Sequence, residues 1–124
     1  MEKQTILVVD DDRNIRKLLT AYLQNEGFDV VEAKDGNIAL AQLNKREPSI
    51  VIVDFMMPGL KGWQVCREIK KIKNIPVIII TACDDETTKI LSFDAGADDF
   101  LTKPFNPMEL VLRIKAILRR TKGI

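Results

Sequence analysis

Histidine is absent from these 124 residues, and that single absence removes several chemistries at once. Without imidazole there is no histidine acid or base, no histidine metal ligand and no phosphohistidine carrier. Cysteine is nearly as scarce. Cys66 and Cys83 form neither a CxxC redox motif nor a metal-binding pair, so both are expected to be reduced, packed thiols. Long hydrophobic runs are missing too. The apolar stretch Val77–Ile80 is far too short to span a bilayer, and the opening MEKQ has no signal-peptide pattern. A cytoplasmic protein without membrane contact is the expectation. Nor is there an excess of either charge: 19 Lys and Arg stand against 18 Asp and Glu, a net charge of +1, which gives no sign of direct nucleic-acid binding.

What is present suits one globular domain, residues 1–124, with one core. The chain is 46% hydrophobic and 30% charged, with proline and glycine scattered rather than clustered. The stretch Ile50–Gly62, IVIVDFMMPGLKG, organises the reading. Four β-branched residues run unbroken into Asp54 before a turn at Pro58–Gly59, the pattern of a strand buried on both faces. Ile6–Val9 is a similar run and ends in Asp10, Asp11 and Asp12; Val77–Ile80 is a third and ends in Thr81. Phe28–Val31 and Phe100–Leu101 read as shorter strands. Between them lie helical repeats: Ile15 to Leu23 before Gly27, Ile38 to Leu43 behind Asp35, Trp63 to Ile72, and Ile90 to Phe93 behind Asp84 or Asp85. A last helix starts at Asn106, with Pro107 and Glu109 in its first turn, and carries Leu110, Ile114, Ile117 and Leu118.

Strand and helix alternate five times, which predicts right-handed βαβ units in an α/β fold. The expected architecture is flavodoxin-like: a doubly wound five-stranded parallel sheet in the order 2-1-3-4-5, with five helices on its two faces. The switch point of that order falls between strands 1 and 3. Asp10–Asp12 and Asp54 therefore meet in the crevice where open α/β sheets bind ligands. Two carboxylates ~5 Å apart repel by roughly 3 kcal/mol at an effective dielectric of ~20. Such a cluster takes up a proton or holds a cation, and with oxygen ligands alone the cation should be hard, Mg²⁺ first. Asp12 is placed to cap the first helix. Thr81 ends strand 4 with a hydroxyl and Lys103 follows strand 5 with an ammonium. Around a carboxylate and a metal these parts suit a tetrahedral anion, and a phosphoryl group on Asp54 would use all of them.

ILVVDDD, VDFMMPGLKG, ITA and DDFLTKPF, in this order and spacing, resemble the receiver domain of two-component response regulators. The closing PFNPMELVLRIKAILRR is similar to receivers of winged-helix (OmpR/PhoB-type) transcriptional regulators. The resemblance implies that Asp54 accepts a phosphoryl group from a sensor histidine kinase. It implies Asp11 and the backbone carbonyl of Met56 as direct Mg²⁺ ligands, with Asp10 acting through metal-bound water. Thr81 and Lys103 would contact the phosphoryl group, the bond before Pro104 would be cis, and Phe100 would be the switch aromatic. In such receivers phosphorylation drives a symmetric homodimer through helix 4, strand 5 and helix 5. By that resemblance Lys89 meets Glu109, Asp94 meets Lys115 and Asp99 meets Arg113, around an apolar centre of Ile90, Phe93 and Val111.

The departures are few. Phe100 stands where tyrosine is common, Cys83 takes a position that is often polar, and Trp63 is most simply a helix residue covering apolar surface. The expected output is transcriptional, through a DNA-binding domain absent from this chain, with a stand-alone receiver as the alternative. The chain is expected to be a phosphoacceptor rather than an enzyme. An Mg²⁺-dependent aspartyl phosphatase would want a carboxylate where Met56 stands, and a flavin-nucleotide binder would want a Ser/Thr/Gly-rich phosphate loop where Asp10–Asp12 stand.

Overall fold

A computed structural model describes residues 3–121. The chain alternates strictly: β1 (Thr5–Val9), α1 (Arg13–Asn25), β2 (Asp29–Ala33), α2 (Gly36–Leu43), β3 (Ile50–Asp54), α3 (Gly62–Ile72), β4 (Val77–Thr81), α4 (Glu86–Asp94), β5 (Asp99–Thr102) and α5 (Pro107–Thr121). The five strands form one parallel sheet in the order β2-β1-β3-β4-β5, as the alternation predicts. The two short strands run past their expected ends, because edge strands β2 and β5 are only half-buried and carry the polar residues Asp29, Glu32, Asp99 and Thr102.

Side chains leave a strand alternately to its two faces, so each central strand feeds two cores. Leu7, Val9, Val51, Val53, Val77 and Ile79 face α2 and α3, where Ala39, Leu43, Val65, Cys66 and Ile69 meet them. Ile6, Val8, Ile50, Ile52, Ile78 and Ile80 face α1 and α5, against Leu19, Leu23, Leu110, Ile114 and Ile117. Sheet and helices thus explain the unbroken Val/Ile runs: neither face of β3 or β4 sees water.

The helix starts are capped by the residues that the sequence marks. Asp12 accepts from Asn14 N at 2.9 Å, Asp35 from Ile38 N at 2.9 Å, Asp85 from Thr88 N at 2.8 Å and Asn106 from Met108 N at 2.9 Å. Among the described residues, no helix is long and apolar enough to cross a membrane.

Val111 requires a correction. It is fully buried in the core beneath α5 and cannot form the apolar centre of an exposed face. With Ile114 and Leu118 it makes an i, i+3, i+7 stripe that points at the sheet. Its neighbour Leu112 is the outward residue, at 58% exposure.

Candidate functional site

The register brings four strand ends to one edge of the sheet. Val9 lies level with Val53, Asp54 with Ile80, and Thr81 with Thr102. Asp10 and Asp11 follow β1, Asp54 ends β3, Thr81 ends β4 and Lys103 follows β5. The fold therefore places the predicted residues around one shallow crevice. Gly62 packs directly on the end of β3: a Cβ there would lie 2.7 Å from Phe55 Cα and run into the Asp54 carbonyl. Only glycine lets α3 start this close to the end of β3.

One carboxylate oxygen from each of Asp10, Asp11 and Asp54 can be chosen so that all lie within 4.8 Å of one another. Asp10 and Asp54 are buried, whereas Asp11 is exposed. Lys103 Nζ sits 3.5 Å from Asp10 Oδ2 and 3.5 Å from Asp54 Oδ1, and the Lys103–Pro104 bond is cis. Burial pushes the Asp54 carboxyl up to about 6, helped by the negative charge of Asp10 and opposed by Lys103. Burial raises Asp10 as well, against the hydrogen bond from Asp12 N and the charge of Lys103. One ammonium thus only partly offsets three carboxylates. The donor set fits a hard divalent cation: oxygens only, close together, and electrostatically short of positive charge. The peptide carbonyl of Met56 is two residues past Asp54, and the Met56 side chain is 55% exposed.

Thr81 is fully buried, and its Oγ1 accepts from Cys83 N at 3.1 Å. Cys83 is half-exposed, with its thiol 3.1 Å from Asp85 Oδ2. Cys66 is the packed thiol expected, and burial pushes it up to about 11. Phe100 is half-buried against the core, its ring 6.3 Å from that of Phe93 on α4. Trp63 covers apolar surface at the start of α3 and carries the Arg67 guanidinium 4.7 Å above its ring.

The residues expected at a dimer face lie together on α4, β5 and α5. Ile90 and Phe93 are 62% and 52% exposed. Arg113 Nη1 already reaches Asp99 within the same chain, at 3.0 and 3.1 Å, and its Nη2 reaches Glu109 at 2.9 Å. Lys115 lies 3.6 Å from Glu26, and Asp94 lies 4.0 Å from Arg67. Lys89 is half-buried on α4. Sequence reasoning missed Arg16, which holds the Asp10 carbonyl from the side, and Glu32, which pairs with Arg16; 16 positions separate them, and no motif spacing joins them.

A family model described as "Response regulator receiver domain" matches residues 6–115. The chain is 43% identical over 120 residues to "Probable transcriptional regulator ycf27" of Porphyridium aerugineum. The match covers 97% of this chain and 50% of the relative, so the chain spans about half the length of that protein. Among solved structures, a CheY-like response regulator receiver domain protein from Methanospirillum hungatei superposes with a TM-score of 0.95 at 27% identity, covering 98% of each chain. The BeF3-activated N-terminal receiver domain of Klebsiella pneumoniae RstA superposes with a TM-score of 0.89 at 32% identity, over 94% of this chain and 99% of that one.

Proposed function

Because this chain belongs to the response regulator receiver domain family and is related to transcriptional regulators, we propose that it is switched by a phosphoryl group carried on Asp54. The phosphoryl group comes from a phosphohistidine of a sensor histidine kinase. A carboxylate oxygen of Asp54 attacks phosphorus as the phosphorus–nitrogen bond to the kinase imidazole breaks, and the electron pair of that bond leaves with the nitrogen. Lys103, already 3.5 Å from Asp54 Oδ1, pairs with a phosphoryl oxygen, and the Thr81 hydroxyl donates to another. Asp11, Asp54 and the Met56 carbonyl would hold Mg²⁺ directly, and Asp10 through water. The ion supplies positive charge against the phosphoryl oxygens and the three carboxylates.

The whole of residues 1–124 acts as one receiver domain in the cytoplasm. It is a phosphoacceptor that turns over only its own acyl phosphate. Thr81, drawn toward the phosphoryl group, leaves space that the Phe100 ring enters, which alters the surface of α4, β5 and α5. Two copies then pair through that face, with Ile90, Phe93 and Leu112 at the apolar centre, and with Lys89 and Glu109, Asp94 and Lys115, and Asp99 and Arg113 as cross-pairs. A DNA-binding domain outside this chain carries the output to transcription.

The observation that carries this reading is the meeting of Asp10, Asp11 and Asp54 with Lys103 at the strand ends of a receiver fold. Intact-mass measurement after incubation with Mg²⁺ and a small acyl phosphate tests it. One added phosphoryl group is expected on the wild type and none on Asp54→Ala. Equal labelling of both proteins would overturn the assignment, and labelling unaffected by a chelator would overturn the metal role.

A further inference from the structure

Arg16 is absent from the mechanism above, yet its side chain is only 14% exposed and both ends of its guanidinium are engaged. Nη1 donates to the carbonyl oxygen of Asp10 at 2.7 Å. Nε donates to Glu32 Oε1 on β2 at 3.3 Å, and Glu32 Oε2 also accepts from Lys17 Nζ at 3.2 Å. The Asp10 carbonyl belongs to the peptide plane that joins Asp10 to Asp11. That plane is rigid, so holding its oxygen sets the directions in which both carboxylates leave the backbone.

Three further contacts hold Asp10: its N donates to Ala33 O at 3.2 Å, its Oδ1 accepts from Asp12 N at 2.9 Å, and its Oδ2 accepts from Lys103 Nζ at 3.5 Å. None touches the carbonyl. Rotation of the Asp10–Asp11 plane would swing exposed Asp11 relative to buried Asp10, and the arginine opposes it. Glu32 is shared between Arg16 and Lys17 and offsets only part of their charge, so the bond to the Asp10 carbonyl is what distinguishes Arg16 from Lys17. A lysine could not do the same, because one ammonium lacks the fork that spans a carbonyl and a carboxylate in different directions.

We propose that Arg16, oriented by Glu32, is a positioning residue that fixes the Asp10–Asp11 peptide plane for divalent-cation binding. The inference rests on the reading of the carboxylate cluster as a cation site. Outer hydrogen bonds to ligand-bearing groups typically change metal affinity by 10–100-fold.

Calorimetric titration of the whole chain with Mg²⁺ tests this, alongside thermal unfolding of each variant. Arg16→Met should bind Mg²⁺ roughly 10-fold more weakly, and Arg16→Lys should fail to restore the affinity. Lys17→Met, which also removes an ion pair to Glu32 but leaves the Asp10 carbonyl bonded, should bind as the wild type does. At saturating Mg²⁺, labelling of Arg16→Met by a small acyl phosphate should return to the wild-type rate. If Arg16→Met does not fold, Glu32→Gln, which keeps the shape and loses the charge, should weaken Mg²⁺ binding several-fold. A wild type that binds no Mg²⁺ contradicts the cation site itself. A wild type that binds, with an Arg16 variant (or, in its place, Glu32→Gln) binding equally well, overturns the positioning role. So would equal weakening in Lys17→Met, or labelling that stays slow at saturating Mg²⁺.

Discussion

Helices α3 and α4 are consecutive crossovers of the same sheet, and they are held to it in different ways. α3 buries Val65, Cys66 and Ile69 completely. The residues α4 buries fully are Thr88 and Ser92, the serine donating to the Thr88 carbonyl at 2.8 Å; of its large apolar residues Leu91 is half-buried against the core, while Ile90 and Phe93 face outward. Each fully buried aliphatic side chain contributes about 1.5–3 kcal/mol of transfer free energy, and a buried hydroxyl bonded to its own helix contributes far less. α3 is therefore a fixed wall behind Asp54, reinforced by the close approach at Gly62. α4 is a helix that can shift at small cost and already presents apolar surface to solvent. The proposed phosphoacceptor hangs on the rigid side, and the proposed output face lies on the loose one. Phe100, in contact with Phe93, lies between the two.

The contrast should be largest in the stability of the monomer. Ile69→Ala on α3 is expected to lower the free energy of unfolding by about 2–5 kcal/mol, as removal of a buried aliphatic side chain does. Phe93→Ala on α4 should cost under about 1 kcal/mol, because half of that ring is already in water. Urea titrations of the two variants measure this directly, and equal losses would erase the distinction.

A slightly smaller effect should appear at Asp54 in metal-free protein. Its folded-state pKa of about 6 lies above the ordinary value of 3.8. The group therefore favours folding below pH ~4 and loses that contribution as pH rises through about 6. The shift of about two units corresponds to at most about 3 kcal/mol. Asp54→Asn should thus be more stable than the wild type at pH 7 in chelator, and the difference should vanish near pH 4. Added Mg²⁺ should stabilise the wild type more than the variant. Melting curves across pH give the answer, and a wild type as stable as Asp54→Asn at pH 7 would remove the electrostatic argument.

The smallest effect is kinetic. Hydrolysis of an acyl phosphate on Asp54 needs a water held in line with phosphorus. Neither the thioether of Met56 nor the thiol of Cys83 offers a strong hydrogen bond to hold one. A long-lived phosphorylated state is expected, and Met56→Asn should shorten its lifetime several-fold, as followed by loss of the phosphoryl mass. An unchanged lifetime would show that the water is placed by something else.

Most of this architecture is legible in the residues, for a physical reason. β3 and β4 are buried on both faces and so appear as unbroken Val/Ile runs, and their terminal Asp54 and Thr81 stand out against them. The edge strands are harder to bound, because half-burial lets Asp29, Glu32 and Asp99 occur inside them. The phase of α5 is harder again. Met108, Leu110, Val111 and Leu112 crowd its first turns, and apolar character alone does not say which points inward. The spacing from Val111 to Ile114 and Leu118 carries that information, and it assigns Val111 to the core and Leu112 to the surface. Arg16 and Glu32 meet only after α1 is laid across β1 and β2, so no local pattern announces them.

The proposed switch joins a charged crevice to a distant face, and one experiment reports on both. Sedimentation of the wild type and of Asp54→Ala, with Mg²⁺ and with or without beryllofluoride as a phosphoryl mimic, is that measurement. The expected result is a monomer without the mimic, a dimer with it, and a monomer for Asp54→Ala in both conditions. Leu112→Ala should weaken the dimer while leaving the monomer stable. A wild type that stays monomeric with beryllofluoride at concentrations up to ~100 μM, where even weak interfaces should show, would contradict it.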